Sequence, residues 1–308
     1  MQSSPKRFHC FIIPCVLLLV APVLLAGAPG GDSVFEKQMP SAQLAFLNGF
    51  AGRMSNEVMK DGQFKKLVHN VVPDAPYHYH RDLPLPEILE TVLSSAPMEV
   101  EIRDGRYAMV PSRTDPRGGG LGFMWTDMQD GIALGGFSFH PTNGEPTPTL
   151  TIFSKQVKEE SLAMSQLPLA FTEDMYQWSA ATGIPPVLTR YFINASGMKI
   201  VLEHDEDYCA HPDDAPAPPA DVCEQENADA ADVDMEAAYF MERTGYASNA
   251  TAYMAVGTEQ VDWIALRETT CRVGPDRLRC RIRMTRERTH VLIKRRHAPV
   301  PTPHPVHR

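Results

Sequence analysis

The chain has 308 residues, a formal net charge of -9, and hydrophobic residues at 43% of positions. That balance argues against a nucleic-acid or anionic-membrane binder, whose electrostatics require a basic face, and favours a cationic partner. Six cysteines are present, four of them in the last third of the chain.

The first residues read as an export signal. Lys6 and Arg7 precede an uncharged apolar run from Cys10 to Ala28, which is the secretory pattern of a basic head and a greasy segment. Ala26-Gly27-Ala28 resembles a cleavage box, but Pro29 disfavours cutting there, so the expected cut follows Gly30 with Ala28 three positions before it. The rival reading is an uncleaved membrane anchor, against which Pro14 and Pro22 argue because they interrupt a continuous helix. No cysteine directly follows the run, which disfavours a lipid-anchored form. A periplasmic or secreted location is therefore expected, with no membrane contact beyond the signal segment. The roughly 280 residues after a cut are enough for one large core or two ordinary domains.

Residues 41–95 carry helical periodicity. Leu44, Leu47, Phe50 and Met54 recur at three and four, Ser41 after Pro40 is a candidate N-cap, and DGQFKKLVHNVV and LPEILETVL supply two further helices. From 98 to 154 the period changes to two. MEVEI and RYAMV flank Asp104-Gly105, a strong hairpin signal; GLGFMWTDM, IALGGFSFH and TLTIFSKQV follow as further strands, most simply in an antiparallel meander. A helix over 170–181 and a hairpin in TRYFINASGMKIVLEH complete an α+β region spanning 31–205.

A Pro/Ala-rich loop at 211–221 then marks a boundary. Beyond it, two or three helices are expected to form a small all-α domain over 206–296, followed by a disordered Pro/His tail at 297–308. Ala228, Ala231, Met235 and Ala238 make one apolar stripe, with Asp229, Asp232 and Glu236 expected to face water. Val261, Ile264 and Ala265 begin a second stripe, and Cys280, Met284 and Val291 a third.

Charge is segregated in this part. Between Glu203 and Glu236 there are thirteen acidic residues and no Lys or Arg, whereas Arg272–Arg308 holds eleven basic residues against two acidic ones. Two readings stay open and are compatible: the blocks neutralise one another inside one helical unit, or the acidic block steers a cationic enzyme to the surface.

From Cys209 to about Arg296 the chain resembles the lysozyme inhibitor LprI N-terminal domain family. The residues that carry the resemblance are Cys209, Cys223 leading into a helix with Asp234 and Tyr239, then Gln260, Trp263, Arg267, Glu268 and Cys271, and finally Cys280 opening an arginine-rich helix. The resemblance implies an exported bacterial protein that binds and blocks a cationic, lysozyme-like peptidoglycan hydrolase. It implies no cofactor and no catalysis by this region. Within it, Gln260, Trp263 and Arg267 share one helical face, and Arg267 is suited to a carboxylate of the acidic helix 221–242. These residues are expected to build the fold.

In an antiparallel helix pair, the start of the first helix lies beside the end of the second. That favours Cys223–Cys271 with Cys209–Cys280; the local pairing Cys209–Cys223 with Cys271–Cys280 is the open alternative. Gaps of fourteen and nine residues do not suit zinc. Partner-contacting candidates are Asp213 and Asp214 in the acidic loop and Thr244, Tyr246 and Asn249 between two helices.

Other temptations are weaker. His78 and His80, with Asp82, His69 or His140, lack a recognisable metal pattern, and His140 and Glu145 lie in a turn-rich loop. GGGLG (118–122) lacks the spacing of a nucleotide fingerprint, and no nucleophile elbow or Walker loop is present. Asn194-Ala195-Ser196 and Asn249-Ala250-Thr251 match a glycosylation pattern but read as turn and helix-start residues. The alternative function is a cell-envelope enzyme whose chemistry lies in 31–205, with the helical part as a binding module.

Overall fold

A computed structural model describes residues 33–79, 81–114, 120–139, 149–182, 189–210 and 217–296. The chain divides into Met1–Ser33 and Val34–Arg308, and the elements of the described residues lie in the second unit. The segment 1–30 expected to be an export signal, His80, His140, Asn143-Gly144, Glu145, Asp213, Asp214 and residues 297–308 fall outside the described residues.

The N-terminal helices are shorter than their periodicity suggests. α1 (Ser41–Leu44) passes into a 3-10 turn at Ala45–Phe50, and α2 (Ser55–Val58) starts afresh. The break has a cause: Gly52 adopts φ +74° and donates to the Val100 carbonyl, while Val100 N–H donates to Arg53 O, so the sheet margin captures this segment. Ser41 is the first helical residue and Pro40 occupies the cap position without a side-chain bond, correcting the expected cap by one residue. α3 (Gly62–Val71) is capped by Asp61, which accepts from the backbone N–H of Gln63 and Phe64 at 2.8 and 3.1 Å. Its buried Phe64, Leu67, Val68 and Val71 follow the three-and-four spacing. A small hairpin absent from the sequence reading, β1 (Pro76–Tyr79) with β2 (Arg81–Pro84), precedes α4 (Leu85–Ser95).

Among the described residues the main sheet has eight strands. β3 (Glu101–Arg103), β4 (Tyr107–Pro111), β5 (Leu121–Asp127), β6 (Ile132–Phe139) and β7 (Thr149–Phe153) form the expected antiparallel meander. Asp104 and Gly105 both take positive φ (56° and 62°), the conformation of a tight hairpin turn. The sheet then becomes mixed. α5 (Leu169–Thr182) crosses over so that β9 (Thr189–Ile193) pairs parallel with β7, and β10 (Lys199–Glu203) pairs antiparallel with β9 and parallel with the two-residue β8 (Leu162–Ala163).

Both faces of the sheet are covered. Met124 and Phe137 pack on one side with Phe64, Val68, Ile88 and Val92 of the N-terminal helices. Phe123, Trp125, Ile152 and Phe192 pack on the other with Phe171, Met175 and Trp178 of α5. All seven residues of β5 are consequently buried. Gly135 and Gly136 are required in β6: a Cβ on either would fall about 2.3–2.4 Å from the Phe153 or Phe123 ring. Asp174 ties α5 down by accepting from Trp125 Nε1 at 2.7 Å and Arg103 Nε at 2.8 Å.

Three helices complete the fold: α6 (Ala220–Gly245), α7 (Ala250–Thr270) and α8 (Arg277–Arg296). Their contacts give the directions. Glu224, Asp232 and Glu242 meet Arg279, Arg281 and Arg295 in rising order, so α6 and α8 run parallel. Arg267 meets Asp232 while Gln260 meets Met235, so α7 returns antiparallel between their ends.

The expected stripes are corrected here. Asp229 and Asp232 are buried, not solvent-facing, and Glu236 is half-buried. Val261, Ile264 and Ala265 are exposed; α7 buries Val256, Gln260 and Arg267 instead. On α8 the inward residues are Thr285, Arg288, Thr289 and Leu292, while Val291 is exposed. Among the described residues, no helix is long and apolar enough to cross a membrane.

Candidate functional site

The helical unit is organised around charge. Its apolar cluster contains only Met235, Ala238 and Leu292, with Tyr239 and Trp263 packed against it. Small buried residues such as Ala228, Ala231 and Val256 add to it, and buried ion pairs run alongside. Arg267 of α7 donates to Asp232 Oδ1 at 2.5 Å and to Thr285 Oγ1 at 2.9 Å; Thr285 in turn donates to Asp232 at 3.1 Å. Arg281 of α8 bonds the other oxygen of Asp232 and reaches Asp229 at 4.0 Å. Asp229 also accepts from Arg190 on β9 at 3.1 Å, and Arg190 forks onto Glu226. A ladder of alternating charges thus runs from the sheet through α6 to α8 and α7.

Burial dominates the titration of its central acid. Removed from solvent, the Asp229 carboxyl is pushed up to about 6, with Arg190 and Arg281 opposing the shift. Glu259 behaves oppositely: bonds from Arg295 (2.8 Å) and Arg288 (2.7 Å) hold it down to about 2.

The motif residues occupy distinct places. Gln260 Oε1 accepts from Arg288 Nε at 3.1 Å, and the half-buried Trp263 ring meets two guanidinium groups, 5.2 Å from Arg267 and 5.8 Å from Arg288. Glu268 is exposed and receives Arg267 Nη2 at 2.9 Å. The Tyr239 hydroxyl accepts from Arg243, whose guanidinium stacks 4.0 Å over Tyr253 of α7. Asp234 sits on the exposed side of α6, 3.4 Å from His204. The acid that meets Arg267 is Asp232, which the sequence reading had placed in water.

The cysteines pair locally. Cys209–Cys223 joins the loop before α6 to its first turn, and Cys271–Cys280 bridges α7 to α8. The favoured long-range pairing is therefore corrected, for a geometric reason. Asp232 lies nine residues after Cys223, two and a half turns on, and so on the opposite face of α6. With Asp232 turned to α7, Cys223 is turned to the sheet, where it packs beside Tyr208.

Thr244 donates to Phe240 O at 2.7 Å, Tyr246 is the residue that ends α6, and Asn249 caps α7 by accepting from Ala252 N–H at 3.1 Å. The polar groups of Thr244 and Asn249 thus serve the turn itself. Beside this turn lies a surface that sequence reading missed. Met254 and Val261 are 63% and 66% exposed and, two turns apart, point away from the buried Gln260–Arg267 face; Leu266 and Ile264 flank them, and Phe240 of α6 is 62% exposed. The single base of α7, Arg267, is buried, whereas Glu259, Asp262 and Glu268 lie at its surface. A signal did exist: the apolar residues of α7 run around the whole helix, more than one packed face can use.

At the metal candidates, His78 Nδ1 lies 3.0 Å from Asp82 across the β1–β2 hairpin and His69 lies 3.3 Å from Glu90. Among the described residues no group of three His, Cys, Asp or Glu is placed to hold a metal ion.

Fold and site together define a mixed-sheet α+β protein carrying a small three-helix unit closed by two disulfides. Residues 213–292, which cover most of that unit, match the model of a family described as "Lysozyme inhibitor LprI". No curated protein and no solved structure matches the chain.

Proposed function

We propose that this is an exported bacterial envelope protein that binds and inhibits a lysozyme-type peptidoglycan hydrolase, of a host or of a rival bacterium. The observation that carries the reading is the coincidence of the family match with the three-helix unit. Within that unit, the outer face of α7 joins an apolar stripe to an acidic margin without an exposed base. Such a face suits an enzyme whose surface is cationic: the acids speed and orient encounter, and the apolar side chains supply the buried anchors. Hydrolases of this type work with two carboxylates in a cleft. In our reading the α6–α7 turn, from Thr244 to Asn249, enters that cleft, while Phe240, Met254 and Val261 seat against its rim. The helical unit acts as the partner-binding part, and the chain reaches the envelope after removal of a signal ending near Gly30.

A cell-wall lysis assay tests this. The exported chain should lower turnover of a susceptible muramidase at near-stoichiometric ratio, and Met254→Asp with Val261→Asp should abolish that effect without altering the circular dichroism. Full turnover across a panel of muramidases, at saturating amounts of the chain, would overturn the reading.

A further inference from the structure

A cleft of about 480 Å³ lies between α5, the β7–β9 strands, α6 and the Cys271–Cys280 loop. Its volume is within the roughly 300–1,000 Å³ typical of small-molecule sites. We propose that it binds a small amphipathic anion, an apolar body carrying one carboxylate or phosphate group.

Three observations support this. The lining is divided: Leu150, Ile152, Phe171 and Met175 offer an apolar floor from the sheet and α5, while arginines stand on the opposite side. The charges on that side are unevenly matched. Glu226 and Asp229 are bonded to Arg190, and Glu268 to Arg267, so every acid lining the cleft already has its cation. Arg272 and Arg277 line it too, and among the described residues neither side chain has an ion pair or hydrogen bond. Finally, Nε of Arg281, a third lining arginine, is buried with no acceptor among the described residues, and a buried donor without an acceptor is uncommon.

The disulfide gives the arrangement its rigidity. Arg272 and Arg277 both sit inside the loop closed by Cys271–Cys280, which keeps the backbone that carries them on one short, constrained rim. A ligand with its apolar part against Phe171 and Met175 would bring its head to that rim. Carboxylate and phosphate heads share the recognition chemistry, since guanidinium groups fork onto either. This inference is independent of the inhibitor reading, because the cleft lies on the sheet side of α6 and not on the outer face of α7.

Isothermal titration of the exported chain with dodecanoate, dodecyl phosphate and neutral dodecanol, each kept monomeric, decides it. At least one anion should bind at a single site, and dodecanol should bind about tenfold more weakly or worse. Response to one anion alone identifies the head; response to both leaves the shared chemistry as the specificity. Arg272→Ala with Arg277→Ala, at exposed positions that do not disturb packing, should weaken binding by about tenfold. Ala180→Trp, which fills the cleft while keeping every charge, should remove binding. The proposal is overturned if neither anion binds, if dodecanol binds equally well, or if the double arginine variant or the tryptophan variant binds like the parent chain.

Discussion

The sheet and the three-helix unit are stabilised in opposite ways. The sheet buries Phe64, Phe123, Trp125, Phe137, Phe153, Phe171 and Phe192 almost completely, and few charges lie among them. The helical unit buries Asp232, Arg267, Arg288, Thr285 and Thr289 beside a small apolar cluster of Met235, Ala238 and Leu292 and adds two disulfides. Apolar packing is non-directional and tolerates change; buried ion pairs repay their desolvation only when geometry is maintained. The helical unit is therefore the more specific of the two and the more easily broken. It also releases apolar side chains, such as Met254 and Val261, for the outer surface, because its interior uses other contacts.

The chain's three tryptophans allow this contrast to be measured, since Trp125 and Trp178 lie in the sheet core and Trp263 in the helical unit. The largest effect is expected from Arg267→Ala, which leaves Asp232 buried with Arg281 as its remaining cation. The helical unit should lose about 3 kcal/mol, seen as a lower denaturant midpoint for Trp263 fluorescence with the Trp125 and Trp178 signals little changed. Equal shifts in all three reporters would show that the two regions unfold as one. Breaking Cys271–Cys280 by alanine substitution should cost about 2–3 kcal/mol by freeing a short loop, again in the Trp263 signal first.

Acid titration sharpens the comparison further. Asp229 has its folded value raised from 3.8 to about 6, so its proton stabilises the fold fully below 3.8 and that stabilisation is lost as pH rises to about 6. The stability difference between the parent chain and Asp229→Asn should fall across that window by no more than about 3 kcal/mol, then stay flat. Glu259 acts in the opposite sense: its contribution is present above 4.5 and lost as pH falls toward 2. A pH series of urea midpoints on Asp229→Asn and Glu259→Gln separates the two. The smallest effect on folding belongs to Val261→Asp, which should leave stability nearly unchanged yet weaken the proposed hydrolase binding by about 1–2 kcal/mol, read as a shift in the inhibition curve.

Much of this was legible in residue order. Alternation exposed the five-strand meander and Asp104-Gly105 its first turn. The spacing of Gln260, Trp263 and Arg267 placed them on one helix face, pointing to an acidic partner on α6. Other features were not legible. β8 has two residues, too few for any periodicity, and the parallel pairing of β7 with β9 depends on where α5 returns the chain. Asp229 and Asp232 read as solvent-facing because acids are rarely buried; only the arrival of Arg190, Arg267 and Arg281 from other elements makes their burial tolerable. The cysteine pairing failed for a related reason, since the two faces of α6 could not be told apart until Asp232 was known to meet Arg267.

Local pattern and turn chemistry therefore determined which segments become helix or strand and which residues share a face, because these depend on neighbours within a few positions. Tertiary structure alone decided which face is turned inward, which acid meets which arginine, and which cysteines meet. Those outcomes depend on charges and packing supplied from β9, α7 and α8, far away along the chain.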